Sequence, residues 1–284
     1  MGTSLIEGQW VEPASGRRLA YRLWQPPQPQ VLVVVVHGFA EHGGRYAAMA
    51  EALAARGIAV GVQDLWGHGR SGGSRGELGR LEDCARDLQG MTEAVLLPRS
   101  GAGRYAVFGH SFGGMAAIVW ALQAPGAFQR MVLQSPLIDT GFQPPRWKTW
   151  LAGWLAGWWP RFQFYLDLDA RALSHDPAVV RAYREDPLVH NAMSAGTYQS
   201  IKAWQRRILA RPGDVRPAVL LLYGTGDRVV SIETAKQWYE GVVSEKRSVI
   251  FPDYFHELHH EAVRDDIIRL VADWVAADRP PGHQ

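Results

Sequence analysis

Residues 105–123 read YAVFGHSFGGMAAIVWALQ, and this stretch decides the fold. An apolar run predicts a buried strand over Tyr105–Phe108, and an alanine-rich run predicts a helix over Gly114–Gln123. The GHSFG segment between them has the G-x-S-x-G spacing of a sharp turn that lifts a nucleophilic serine above a sheet. The flanking strand and helix disfavour the alternative, an ordinary glycine–serine loop. We therefore predict that Ser111 is a nucleophile.

Strand and helix patterns alternate along the rest of the chain. Further apolar runs predict strands over Val31–Val36, Ala59–Gln63, Met131–Gln134, Ala218–Tyr223 and Ser248–Phe251. Helical patterns lie between them, over residues 46–56, 82–96, 232–242 and 260–277. Such alternation is typical of a parallel sheet covered by helices on both faces. With an N-terminal hairpin over residues 8–12 and 18–24, we expect an α/β fold whose mostly parallel sheet has eight strands.

The alternation stops between about residues 140 and 210, where no clear strand is visible and aromatic residues are dense. We expect an α/β core over residues 1–139 and 211–284, with a helical cap inserted over residues 140–210. Open parallel sheets bind ligands beyond the carboxyl ends of their strands. The cap is therefore expected to lie above the site.

Composition excludes several classes of protein. The net charge is only +2, from 30 basic and 28 acidic residues, and no basic stripe indicates a nucleic-acid partner. The single cysteine, Cys84, excludes an intrachain disulfide. No apolar run reaches the roughly 18 residues of a membrane span, and the N-terminus lacks the pattern of a signal peptide. We therefore expect a cytoplasmic protein, with any membrane contact peripheral.

A nucleophilic serine requires a base, and that base requires an orienting carboxylate. On a strand–turn–helix serine the acid and then the histidine follow in the chain. Asp227 lies in a glycine-rich turn after a predicted strand, and His256 lies between the last strand and the final helix. We predict these two residues as acid and base. The alternatives are Asp253 as the acid and His42, His259 or His260 as the base.

Two backbone N–H groups are candidates for an oxyanion hole. The strand Val31–Val36 ends in a His-Gly pair, and the N–H of Phe39 follows it. The second donor is the N–H of Phe112, directly after the predicted nucleophile. The alternative is a plain turn from strand to loop.

A zinc site is a competing interpretation, because residues 256–260, HELHH, carry the letters H-E-x-x-H. Such a site requires a helix and a third ligand. Pro252 and the strand before it argue against a helix here. Acyl transfer by serine, histidine and aspartate implies no metal or organic cofactor, so we expect neither.

With these residues in place, the chain resembles the monoacylglycerol lipase and lysophospholipase branch of the α/β-hydrolases, whose wider family includes serine aminopeptidases. The likeness extends from about Arg18 to Val275. It depends on residues 37–46 (HGFAEHGGRY), 64–72 (DLWGHGRSG), 109–114 (GHSFGG), 186–190 (DPLVH), 224–227 (GTGD) and 256–257 (HE). The resemblance implies an α/β-hydrolase fold and hydrolysis of fatty-acyl esters.

Monoacylglycerols or similar lipid esters are the implied substrates, with lysophospholipids or general carboxylic esters as alternatives. Amide or peptide hydrolysis, as in the aminopeptidases, is a second possibility. It would need an acidic cluster for a substrate ammonium, for which the cap offers Asp167, Asp169, Glu185 and Asp186. A ligand-binding relative without turnover is the non-enzyme alternative, which the complete set of candidate catalytic residues disfavours.

The resemblance also implies a polar pocket for the alcohol end of the substrate, formed by Glu41, Arg45 and His259. The alternative for Glu41 and Arg45 is that they pair with each other and fix their loop. Phe112 departs from the methionine that is usual in the family, so the wall of the acyl pocket is expected to differ. Asp64 is interpreted as part of a structural turn.

Five of the 12 tryptophans lie within residues 147–159. Trp147, Trp150, Trp154 and Trp158 recur at three- and four-residue spacing, which places them on one face of a helix. We predict that Trp150 and Trp154 bind substrate by lining an acyl tunnel or contacting a lipid surface transiently, since indole rings favour the membrane interface. The alternative is that they pack on the core of the cap.

Overall fold

The computed structural model describes residues 2–140 and 158–277. Its strands, in chain order, are β1 Ser4–Val11, β2 Arg18–Gln25, β3 Leu32–Val36, β4 Ala59–Gln63, β5 Tyr105–His110, β6 Arg130–Gln134, β7 Gln163–Tyr165, β8 Ala192–Ser194, β9 Ala218–Gly224 and β10 Lys246–Phe251. Eight of them form one sheet in the order β1-β2-β4-β3-β5-β6-β9-β10. Strands β1, β2 and β4 pair antiparallel in succession, and every other pairing in this sheet is parallel. The predicted eight-stranded, mostly parallel sheet is confirmed.

The register of the central strands sets the place of the candidate site. Val36 at the end of β3 pairs with Gly109 in β5, and His110 in β5 pairs with Gln134 in β6. The loops that follow these strands therefore leave the sheet side by side. The predicted oxyanion loop after β3 and the serine turn after β5 are neighbours for this reason.

The central strands form because both of their faces are buried, as expected for a parallel sheet. All five residues of β3, LVVVV, are buried. Val34 and Val36 pack into an apolar core on one side of the sheet, and Val33 and Val35 pack into a second core on the other side. Alternating side chains of one strand therefore hold two layers of helices to the sheet.

Helices cover both faces of the sheet. In the described chain they are Ala47–Ala54, Leu81–Met91, Leu97–Ser100, Phe112–Gln123, Pro177–Glu185, Ala195–Ala210, Ile232–Glu240 and Arg264–Ala276, with a π-helical segment over Thr92–Leu96. Short 3₁₀ turns are formed by Gly43–Tyr46, Ala170–Ala172, Pro212–Asp214 and Leu258–His260. No helix of residues 2–140 and 158–277 is long and apolar enough to cross a membrane.

The segment between β6 and β9 contains two of these helices and one feature that the sequence did not indicate. Strands β7 and β8 pair antiparallel over three residues each, outside the main sheet. The sequence shows no clear strand in this segment, because three residues are too few to leave a hydrophobic period. The division of the chain at residues 139/140 and 210/211 stays a prediction.

The final helix begins later than the sequence predicts, at Arg264 instead of His260. Glu261 prevents the earlier start because its backbone is extended, and its carboxylate accepts the backbone N–H groups of His175 and Phe255. The start of the predicted helix over residues 260–277 was therefore wrong, and neither His260 nor its neighbour His259 belongs to the helix. Both lie in the 3₁₀ turn Leu258–His260.

Candidate active site

Ser111 occupies the turn between β5 and the helix Phe112–Gln123, with φ 54° and ψ −119°. A non-glycine residue rarely adopts a positive φ, and such strained conformations persist only where the surroundings impose them. Here the N–H of Ser111 donates to the carbonyl oxygen of Gln134 at 3.0 Å. The carbonyl oxygen of Ser111 accepts the N–H groups of Gly114 at 3.0 Å and Leu137 at 2.9 Å. These bonds hold the strained turn in place.

The two glycines of the G-x-S-x-G turn are required by close backbone contacts. A Cβ at Gly109 would lie 2.5 Å from the carbonyl oxygen of Gly113. A Cβ at Gly113 would lie 1.9 Å from the carbonyl oxygen of Val36. No side chain fits at either position, so the spacing seen in the sequence has a steric cause.

The backbone N–H groups of Phe39 and Phe112 are the candidate oxyanion donors. Within residues 2–140 and 158–277 neither N–H donates a hydrogen bond to another group of the protein. The two rings pack edge to face with centroids 5.8 Å apart. Phe112 is also the first residue of its helix, where a free N–H and the helix dipole favour negative charge. The arrangement suits binding of a negatively charged oxygen.

Asp227 and His256 form the hydrogen bond that the sequence predicts. Nδ1 of the buried His256 donates to Oδ2 of Asp227 at 2.7 Å. The other carboxylate oxygen of Asp227 accepts the N–H groups of Val229 at 2.8 Å and Val230 at 3.2 Å, which fixes its orientation. Because Nδ1 carries the proton in this bond, Nε2 is the basic atom of the neutral ring.

The charge of Asp227 also determines the basicity of the imidazole. Burial acts to lower the pKa of His256, but the Asp227 carboxylate outweighs burial and raises that pKa above its ordinary value. The pKa of Asp227 shows the reciprocal effect, since burial acts to raise it and the positive charge of His256 lowers it on balance. The pair is therefore arranged to accept and hold a proton on the imidazole.

His110, the neighbour of Ser111 in the chain, packs against the ring of His256. The rings of His110 and His256 have centroids 4.7 Å apart, and His110 directly precedes Ser111. The hydroxyl of Ser111 makes no hydrogen bond within the described ranges, so the bond between serine and imidazole stays a prediction. In unliganded hydrolases this bond is often long and tightens when the substrate binds.

The competing acid and bases have other partners. His42 donates from Nε2 to Asp186 at 2.8 Å. His259 stacks on Tyr46, with centroids 4.8 Å apart, and Asp253 is exposed with its backbone N–H on Thr225. Glu257, between the two histidines of the H-E-x-x-H letters, has φ −99° and ψ 68°. That backbone is not helical, so the segment lacks the geometry on which the zinc interpretation depends.

Glu41 and Arg45 make contacts within the protein. Oε1 of Glu41 accepts the N–H of Gly38 at 2.6 Å and the hydroxyl of Tyr46 at 2.7 Å, and Oε2 accepts from Arg45 Nη1. Glu41 and Arg45 thus pair with each other and fix their own loop, as the alternative interpretation of the sequence states. Their role in binding substrate stays a prediction.

Glu257 completes this group and was not identified from the sequence. Its two carboxylate oxygens accept from Nη1 and Nη2 of Arg45 at 2.6 and 2.7 Å. Burial acts to raise the pKa values of Glu41 and Glu257, but the positive charge of Arg45 outweighs it and lowers both. One guanidinium is thus shared by two ionised carboxylates. The only sequence signal was an acidic residue beside the predicted base.

Gln134 is a second residue that sequence analysis missed. Its Nε2 donates to Nδ1 of His110 at 3.0 Å and to Nδ1 of His259 at 2.8 Å. Burial lowers the pKa of His110 to about 4 and lowers that of His259 well below its ordinary value. Both rings are therefore neutral near pH 7. The predicted contact of the buried His259 with substrate stays a prediction.

The remaining predicted residues are Asp64, Trp150 and Trp154. Asp64 accepts the backbone N–H groups of Gly43 and Arg70 at 2.8 Å each, so it joins two loops as the sequence predicts for a structural turn. Trp150 and Trp154 lie outside the described residues.

Comparisons with known proteins cover nearly the whole chain. A family model described as serine aminopeptidase, S33, matches residues 27–263. A monoacylglycerol lipase of Mycolicibacterium smegmatis is 31% identical over 92% of this chain and 94% of its own length. The human monoglyceride lipase is 30% identical over 93% of this chain and 88% of its own length. The crystal structure of the Paleococcus ferrophilus monoacylglycerol lipase superposes with a TM-score of 0.83 at 29% identity, covering 90% of this chain and 97% of that one.

Proposed function

Because this chain belongs to the serine aminopeptidase S33 family of α/β-hydrolases, we propose that it hydrolyses carboxylic esters of fatty acids, with monoacylglycerols as the main substrate class. The observation that carries the proposal is the buried Asp227–His256 hydrogen bond at the edge of the sheet where the strained Ser111 lies. The monoacylglycerol lipases to which the chain is similar over most of its length support the choice of substrate.

The first half of the reaction acylates the serine. His256 accepts the hydroxyl proton of Ser111 through Nε2 as the oxygen attacks the ester carbonyl. Asp227 holds the ring in the required tautomer and stabilises the imidazolium. The N–H groups of Phe39 and Phe112 bind the oxyanion of the tetrahedral intermediate. Hydrogen bonds of this kind stabilise the charge more strongly in a site that excludes water. His256 then donates its proton to the departing glycerol oxygen.

The second half releases the fatty acid. Water takes the place of the alcohol and gives a proton to His256 as it attacks the acyl carbonyl. The same two N–H groups bind the second oxyanion, and collapse of this intermediate returns the proton to Ser111. Besides the substrate and water, these steps require only side chains and backbone groups of this chain.

The acidic residues of the cap support esters over aminoacyl amides. An aminopeptidase requires carboxylates that are available to a substrate ammonium. Asp169 is paired with Arg171 at 2.9 Å, and Asp186 accepts from His42 at 2.8 Å. Half of the predicted acidic cluster is therefore already paired within the protein.

The test is a comparison of initial rates. We expect monoacylglycerols with graded acyl chains to be hydrolysed faster than aminoacyl nitroanilides, and lysophospholipids in the same assay test the lysophospholipase alternative. Ser111→Ala serves as the blank. Faster turnover of an aminoacyl nitroanilide than of every monoacylglycerol would reject the proposed substrate class.

We also propose that the cap contacts lipid surfaces. Large apolar side chains are exposed in one short segment, with Trp158 77% and Trp159 69% exposed and Phe162, Tyr165 and Leu168 also exposed. Arg161 is exposed beside them: its Nε donates to Glu77 at 3.0 Å, and its terminal nitrogens can meet anionic headgroups. The stripe predicted from the sequence adds Trp150 and Trp154.

Alanine substitution of the pair Trp150 and Trp154 tests this contact. We expect weaker binding to anionic vesicles and slower turnover of long-chain esters, with little change for a short soluble ester. Val243→Ala is the control, since Val243 is 74% exposed and precedes β10. It therefore lies near the amino ends of the parallel strands, whereas the candidate site lies at their carboxyl ends. Equal loss on short and long esters would contradict the proposal. The cytoplasmic location stays a prediction that cell fractionation tests.

A further inference from the structure

We propose that Glu257 is a positioning residue for acyl transfer. Through Arg45 and Glu41 it holds the loop of the base at a fixed distance from the loop of the oxyanion donor. The base is His256 and the donor is the N–H of Phe39, so the inference rests on the proposed function for these two roles.

The first half of the link is a bidentate ion pair. Glu257 directly follows His256, and its N–H donates to the carbonyl oxygen of Leu173 at 2.8 Å. Both oxygens of its carboxylate accept from the guanidinium of Arg45, at 2.6 and 2.7 Å. Two parallel bonds of this kind fix direction as well as distance. The backbone next to the imidazole is therefore held to Arg45.

The second half runs from Arg45 to the oxyanion loop. Nη1 of Arg45 also donates to Oε2 of Glu41. Oε1 of Glu41 accepts the N–H of Gly38 at 2.6 Å, so this carboxylate fixes the His37–Gly38 peptide, next to the peptide that carries the N–H of Phe39. The approach is close enough that a Cβ at Gly38 would lie 2.7 Å from Oε1. A shift of Glu257 would thus reach the oxyanion donor.

Burial makes the link obligatory. The side chains of Arg45, Glu41 and Glu257 are 9%, 3% and 2% exposed. Water cannot replace a lost partner at such depth, and removing one partner leaves an uncompensated buried charge. Both terminal nitrogens of Arg45 donate to these two carboxylates. The two loops are expected to move as one unit.

The link also places charge beside the base. The carboxylates of Glu41 and Glu257 exceed the single charge of Arg45 by one negative charge, which stabilises the imidazolium form of His256. The charged and titratable groups that act on His256 include Asp227 after β9, Glu257 and Glu41 in the two linked loops, His110 at the end of β5, and His259 in the turn Leu258–His260. Neutralising Glu257 therefore lowers the pKa of the base, in addition to releasing the loop.

The decisive variant is Glu257→Gln, assayed on p-nitrophenyl acetate. We expect kcat to fall about 10- to 100-fold, as misplacement of catalytic groups does, while KM changes by less than about threefold. The acid limb of the kcat/KM profile should move to lower pH, since a nearby carboxylate that raised the pKa of the base is lost. Glu257→Asp keeps the charge but shortens the side chain. It should lower kcat and leave the limb in place.

Asp87→Asn is the matched control. Asp87 forms a buried ion pair with Arg17 at 2.8 Å and has no contact with the linked loops. Its loss should change thermal stability without changing kcat or the acid limb. An unchanged kcat in both Glu257 variants, or an equal fall of kcat in Asp87→Asn, would overturn the proposal.

Two further features keep the test decisive. If Glu257→Gln does not fold, Glu257→Asp carries the test alone, and an unchanged kcat in that variant overturns the proposal. Hydrolysis of p-nitrophenyl acetate depends on the serine, the base and the oxyanion donors, and not on recognition of a lipid. A wild-type protein that cleaves this ester but no monoacylglycerol would therefore reject the proposed lipid substrate and leave the role of Glu257 to be measured.

Discussion

At the scale of single residues, the sequence predicts those positions whose requirement is local. Gly109 and Gly113 are recognisable because the serine turn leaves no room for a Cβ at either position. Glu257 was not recognisable in the same way. Its partner Arg45 lies 212 residues away in the chain, and no local pattern in one sequence indicates a bond over that separation.

Gly113→Ala tests the steric account of the serine turn. The added Cβ would lie 1.9 Å from the carbonyl oxygen of Val36, so we expect a loss of about 3 kcal/mol in the free energy of unfolding and a large loss of esterase activity. Urea denaturation measures the first. Gly103→Ala is the control, since a Cβ there meets nothing within 4 Å. Equal stability of the two variants would contradict the account.

The pH dependence of activity tests the proposed base. Burial acts to lower the pKa of His256, but Asp227 outweighs it and raises the pKa above 6.5. The neutral ring is the active form, so kcat/KM should fall as the pH drops through a limb that lies above pH 6.5. In Asp227→Asn the largest contribution that raises this pKa is lost and only the weaker effects of Glu257 and Glu41 oppose burial, so the limb should move to lower pH and kcat should fall by about 10⁴. A limb that Asp227→Asn does not move would argue against this assignment.

At the scale of elements, burial determines what could be predicted. Strands β3, β5 and β9 were predicted because they are fully buried and read as unbroken apolar runs. The short pair β7 and β8 left no such pattern. The start of the final helix was wrong because the long-range contacts of Glu261 override the local helical period, and such contacts are not encoded in spacing.

Residues 186–190, in the segment predicted to form the cap, contact the loop that follows β3. The N–H of His190 donates to the carbonyl oxygen of Ala40 at 2.9 Å, and Asp186 accepts from His42 and from the N–H of Leu188 at 2.8 Å each. The DPLVH segment and the HGFAEHGGRY segment are therefore in contact, which the sequence alone did not reveal.

Asp186→Ala tests that connection. It removes two hydrogen bonds, so we expect a loss of about 1–2 kcal/mol in the free energy of unfolding and a severalfold fall in kcat. Thermal unfolding and ester assays measure the two effects. Asp167→Ala is the control, since Asp167 is exposed and makes no hydrogen bond within the described part of the chain. If both variants behave like the wild type, the connection does not contribute to the site.

At the scale of the whole molecule, the sheet brings distant residues to one edge. Ser111 follows β5, Phe39 follows β3, and Asp227 and His256 follow β9 and β10. Since parallel strands end at the same edge, a correct assignment of strands was enough to predict this convergence. The charge network behind the site could not be predicted, because it depends on how the loops fold over that edge.

The buried carboxylates predict how stability changes in acid. Burial acts to raise the pKa of Glu257, but Arg45 lowers it on balance below the ordinary value of 4.5. A lowered pKa contributes stability that is present above pH 4.5 and is lost as the pH falls through the folded-state value. Glu257→Gln should thus be destabilised by about 3 kcal/mol at pH 7, and by less below pH 4.5. Urea denaturation of the wild type and of Glu257→Gln at pH 7 and below pH 4.5 measures this. If the difference between their free energies of unfolding is not smaller at the lower pH, the assignment is contradicted.

The central claim is that Ser111 is the nucleophile and that His256 activates it. The most direct measurement is mass spectrometry after reaction with a fluorophosphonate. We predict one adduct per chain, mapped to Ser111, that is absent in Ser111→Ala and forms at least a hundredfold more slowly in His256→Ala. A folded protein that gives no adduct, or an adduct at another residue, would contradict the account.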